Sequence, residues 1–78
     1  MQIDYHTSYT LLRDVHEISD IAFCEQAADM LEMIVPPHAK DEPDPMLSIV
    51  GYVATLYKSE QGEIALEYLQ QMVKNSAQ

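Results

Sequence analysis

All four prolines of this chain fall within Pro36–Pro45, and its two glycines, Gly51 and Gly62, lie beyond that stretch. Proline has no backbone donor and clashes with the preceding helical turn, so it ends helices or opens them but rarely sits inside one. Pro36-Pro37 stops whatever precedes it. Asp44-Pro45 pairs an N-cap residue with proline at the first helical position, a matched helix start. The expectation is an all-α fold with a Pro-rich acidic loop at 36–45 joining two helical halves.

Apolar periodicity divides each half again, giving a small bundle of three to four helices at about 8–18, 20–35, 45–58 and 60–74. In the first, Leu11, Leu12, Val15 and Ile18 share a face, Arg13 and Glu17 make an i,i+4 pair, and Thr7 or Ser8 is the candidate cap. In the second, Ile21, Cys24, Ala28, Leu31 and Val35 interleave with Phe23, Ala27, Met30 and Ile34, opposite Glu25, Gln26, Asp29 and Glu32. The apolar faces of these two segments point roughly 150° apart at 100° per residue. Either the chain breaks near Ser19-Asp20, the reading the phase change favours, or one long helix buries its halves against different surfaces. The third segment is the most buried in appearance, with Leu47, Ile49, Val50, Val53, Ala54, Leu56 and Tyr57 around most of its circumference. The fourth places Ile64, Ala65, Tyr68, Leu69, Met72 and Val73 on one face. Residues 1–6 and 75–78 are expected to be loose ends of a single helical domain over 1–78.

A chain of 78 residues buries only roughly 60–65% of its unfolded surface and needs good packing, a staple or a partner. One cysteine excludes an internal disulfide. Thirteen Asp and Glu against four Lys and Arg give a net charge of −9. Direct nucleic-acid binding is therefore not expected, because phosphates need cations to neutralise them, and an anionic membrane surface is disfavoured for the same reason. No apolar run approaches the roughly 20 residues that span a bilayer. The N-terminal sequence lacks a secretory pattern, and with one thiol the expected compartment is the cytoplasm.

Motifs that commit a chain to chemistry are missing. His16, Asp20 and Cys24 stand at i, i+4, i+8, and these are metal-ligand types that His6 or His38 would complete. Against that, Cys24 belongs to an apolar series, and a break at Ser19-Asp20 destroys the alignment. Nothing local activates the Cys24 thiol, no glycine-rich loop cradles a phosphate, and carboxylates on amphipathic helices are most often a solvated face. The outline is similar to that of acyl carrier proteins, but the Asp-Ser-Leu that carries their modification reads Leu47-Ser48-Ile49 here. No enzyme activity, metal or cofactor is expected.

Two features point to a protein partner. Ser48, Gly51, Tyr52 and Thr55 form a narrow strip whose small residues let another backbone approach. A helix of the same bundle covers it, or a partner or second copy does. Glu60, Glu63 and Glu67, like Glu25, Asp29 and Glu32, place carboxylates roughly 5–6 Å apart along a helix. Such rows are either solvated faces or mimics of a phosphate backbone. The expected function is that of a small acidic non-enzymatic regulator acting by protein–protein binding: an adaptor, an inhibitor, an antitoxin-like or immunity-like protein, an anti-defence protein or a nucleic-acid mimic. Its partner is expected to be a protein, basic or itself nucleic-acid-binding, and a homodimer is a further possibility. The alternative is a self-contained metal-binding or small catalytic protein using His16, Asp20 and Cys24.

Overall fold

The computed structural model describes residues 4–34 and 45–76, and of Pro45, Met46 and Ser76 the backbone alone. Within them the chain is all-α: α1 (Tyr5–Thr10), a π-helical turn (Leu11–Val15), α2 (Ile21–Met33), α3 (Pro45–Lys58) and α4 (Gly62–Ser76). The expected loop at 36–45 and the Asp44 cap lie outside the described residues, apart from Pro45, which opens α3 where proline is tolerated. No described helix is long and apolar enough to cross a membrane.

α1 starts earlier than the sequence suggests. Asp4, not Thr7 or Ser8, is its N-cap, with Oδ1 accepting from the Thr7 amide at 2.8 Å. The Tyr5 amide donates to Glu32 Oε2 at 2.8 Å, so a carboxylate from the far end of α2 sits at the start of α1, where the helix dipole favours it. Residues 4–6 therefore belong to the helix and its cap rather than to a loose arm. Ser8, freed from capping, is fully buried.

The helix then widens by one residue. The His16 amide reaches Leu11 O at 2.9 Å and the Ile18 amide reaches Leu12 O at 3.0 Å. Five- and six-residue spacings in place of four insert an extra residue into the turn. Leu12 and Ile18 are buried, but Val15, assigned to the same face by α-helical phase, is turned out to solvent and is 63% exposed. Glu17 follows at φ 58° and ends the segment in the left-handed region. It lies outside helical geometry, so the expected i,i+4 relation with Arg13 is not realised.

The break at Ser19-Asp20 is thus real, and the change of phase there marks two helices. Asp20 caps α2, its Oδ1 accepting from the Phe23 amide at 3.1 Å. α2 is the central element, flanked by α1 on one side and α4 on another. Phe23, Cys24, Ala27, Ala28 and Leu31 are all buried, a stripe too wide for one neighbour. α2 ends at Met33, two residues short of the expected Val35, and Ile34 turns extended while staying buried.

α3 and α4 form the second hairpin, and α4 packs against both α2 and α3. Ile49, Val50, Val53, Ala54, Ala65 and Leu69 join Leu12, Leu31 and Ile34 in one core. Ile21, Leu47 and Ile64, assigned to apolar faces by periodicity, are about half exposed, because among the described residues no neighbour covers the edge of the face they occupy. The α3 turn closes with the Gln61 amide bonded to Leu56 O at 2.9 Å and the Glu60 amide to Tyr57 O at 3.1 Å, with Glu60 at φ 63°. These are the two bonds of a Schellman C-cap, and they start α4 at Gly62 rather than at residue 60.

Candidate functional site

The tight α3–α4 turn brings three helix ends together: the C-terminal end of α3 and the N-terminal ends of α2 and α4. Tyr57, on the last turn of α3, lies against Phe23 of α2 with ring centroids 4.5 Å apart. Its hydroxyl donates to Asp20 Oδ2 at 3.2 Å. Asp20 therefore caps α2 with one oxygen and holds Tyr57 with the other. Gly62 permits the arrangement: a Cβ there would stand 3.2 Å from Tyr57 Cδ1 and 3.8 Å from Phe23 Cε1. Desolvation first, and then the Asp20 carboxylate, keep the Tyr57 hydroxyl protonated beyond its ordinary range.

Beside this aromatic pair runs an open groove of about 800 Å³. Ala22, Phe23, Tyr57, Ile64 and Leu66 supply apolar lining. Three carboxylates, Asp20, Glu60 and Glu63, stand around it against one ammonium, Lys58. Apolar contact with a carboxylate rim suits an occupant with an apolar body and positive charge.

Among the described residues, the strip on α3 is only partly covered by the bundle. Ser48, Tyr52 and Thr55 are exposed. Among the described residues, a Cβ on Gly51 would meet nothing within 4 Å. Thr55 Oγ1 turns back to donate to Gly51 O at 2.9 Å. Tyr52 is half exposed and packs edge-on against Tyr68 of α4, centroids 4.9 Å apart at 69°. Ile64 lies one turn before Tyr68 and also lines the groove, so strip and groove adjoin across the α3–α4 seam. Glu60 and Glu63 stand in the groove, while exposed Glu67 continues their row along α4 outside it. The row on α2 is likewise exposed at Glu25, Asp29 and Glu32, with Glu32 held to the Tyr5 amide.

His16, Asp20 and Cys24 are not brought together. His16 ends the π-turn, both Asp20 oxygens are hydrogen-bonded, and Cys24 is fully buried with Sγ 3.8 Å from Ile18 O. Among the described residues no group of three or more His, Cys, Asp or Glu is placed to hold a metal ion. Burial raises the Cys24 thiol above its ordinary pKa, with nearby Arg13 opposing the shift.

Sequence reasoning did not foresee the groove. Asp20 and Tyr57 are 37 residues apart and no local spacing links them. The one local sign was Gly62 at the first position of a helix, where a small residue signals close approach. No protein-family model, curated protein or solved structure matches the chain.

Proposed function

We propose that this protein is a small acidic regulator that works by binding another protein and catalyses nothing itself. The observation that carries the reading is Gly51. Glycine inside a helix costs about 1 kcal/mol relative to alanine. Among the described residues it neither makes a close contact nor adopts a positive φ. Its place in the exposed strip beside half-exposed Tyr52 fits close approach by a second backbone. Aromatic residues flanked by small ones supply large contact area at low entropic cost. The net charge of −9 favours a basic partner and speeds its encounter.

The test compares capture of proteins from native lysate by the wild type, Gly51→Ala, Gly51→Leu and Tyr52→Ala. Gly51→Ala should raise the stability of the isolated chain by about 0.5–1 kcal/mol. Gly51→Leu should keep the fold and lose a partner that the wild type holds, as should Tyr52→Ala. Sedimentation across a concentration series identifies the case in which the partner is a second copy. A wild-type monomer that captures nothing, or equal capture by Gly51→Leu, would refute the reading.

A further inference from the structure

We infer that the groove at the α3–α4 turn is a docking site for a basic, apolar-faced segment of a partner protein, with a Lys or Arg side chain laid along the Tyr57 side of the groove between the carboxylates. The inference deepens the regulatory reading and rests on it for the existence of a partner. It stands on its own observations for where and what that partner presents.

The first observation is the lining. An open groove of about 800 Å³ sits on the Phe23–Tyr57 pair, with Ile64 48% exposed at its edge. That volume falls in the range of small-ligand clefts, but an open groove suits a side chain carried on a segment. The second is the charge: Asp20, Glu60 and Glu63 against Lys58 alone. A cationic side chain with a long apolar stem matches both, its stem on the aromatic and aliphatic lining and its head between carboxylates. Aromatic faces add cation–π attraction of about 0.5–1 kcal/mol at exposed sites. An acidic segment would meet three like charges against one ammonium. The third is order. The Schellman cap, the Asp20–Tyr57 hydrogen bond and the tight Gly62 contact fix the groove in the free chain. A preformed site loses little entropy on binding.

The probe is a synthetic amphipathic helix of leucine and lysine, acetylated and amidated, with a leucine–glutamate counterpart as control. Backbone amide shifts are followed on titration into the whole protein at physiological salt. The lysine peptide should perturb Phe23, Tyr57, Gly62 and Ile64 most. The glutamate peptide should leave them unmoved. Glu60→Lys with Glu63→Lys should weaken binding by at least about tenfold. Glu25→Lys with Asp29→Lys, the same charge change on the exposed face of α2, should weaken it by less than about threefold, as salt-screened long-range attraction does. Ile64→Ser gives a second variant that leaves charge alone and should also weaken binding. Equal weakening by the two charge-reversed pairs would overturn the site, because the attraction would then be diffuse. So would shifts centred on Gly51 and Tyr52, or no binding at all. If the groove fails while Gly51→Leu still loses a native partner, the regulatory reading stands without the groove. If the groove binds and the strip variants change nothing, the strip reading is the one that falls.

Discussion

Ser8 offers a direct test of the packing between α1 and α2. It is fully buried, and its Oγ has no hydrogen-bond partner. A buried hydroxyl left unpaired costs about 1–3 kcal/mol in lost solvation. Ser8→Ala removes that oxygen without adding volume, and alanine is the better helix former by a few tenths of a kcal/mol, roughly. The expected gain is about 1–2 kcal/mol, since loss of the oxygen's dispersion contacts offsets part of the change. For a domain of this size each kcal/mol raises Tm by about 4–8 °C. Urea unfolding should show a higher midpoint at unchanged m, because the surface exposed on unfolding hardly changes. Ser8→Thr is the counterpart: it keeps the hydroxyl and forces a methyl into a packed interface, which should destabilise by about 1–3 kcal/mol. A neutral or destabilising Ser8→Ala at constant m would refute the reasoning, because the hydroxyl would then have a partner in solution.

Glu17 at φ 58° carries a left-handed strain of about 1–2 kcal/mol that glycine lacks. The greater unfolded-state freedom of glycine takes back about 0.4–1 kcal/mol, so Glu17→Gly should stabilise by roughly 0.5–1 kcal/mol beyond Glu17→Gln, read by urea midpoints. The Asp4 carboxyl is held below its ordinary 3.8, chiefly by the Thr7 backbone amide. Its capping of α1 is therefore whole above that value and lost as pH falls through the lowered one. The Thr7 amide resonance should titrate with a midpoint under 3.8 in the wild type, and show no such step in Asp4→Asn. Cys24 is buried and its thiol is shifted upward by that burial, so an aromatic disulfide reagent should label it in native protein at least about a hundredfold more slowly than in denaturant. Fast native labelling would show that α2 opens readily.

Local chemistry was enough to place most of the helices. Asp20 caps α2 and Pro45 opens α3, because a cap or a proline acts on atoms within one turn of itself. The change of apolar phase across residues 11–21 correctly separated α1 from α2, since a rigid helix cannot present two opposite faces to one core. What local chemistry leaves open is coverage. Val15, Ile21, Leu47 and Ile64 carry the right residue type at the right spacing, yet all are about half exposed or more. Spacing sets the direction a side chain takes from its own axis, whereas burial depends on whether a neighbouring helix is there to meet it.

The sequence by itself therefore determined an all-α chain, where its helices break around Asp20 and Pro45, and that it carries far more negative than positive charge. Tertiary structure alone decided that Ser48, Tyr52 and Thr55 of the strip are exposed. It also decided that Glu60 and Glu63 border a groove floored by Phe23 and Tyr57. At that groove an Asp20 oxygen left over from capping α2 holds a tyrosine 37 residues away. A contact of that kind depends on how two hairpins dock, and docking is set by the summed packing of the whole core rather than by any one turn.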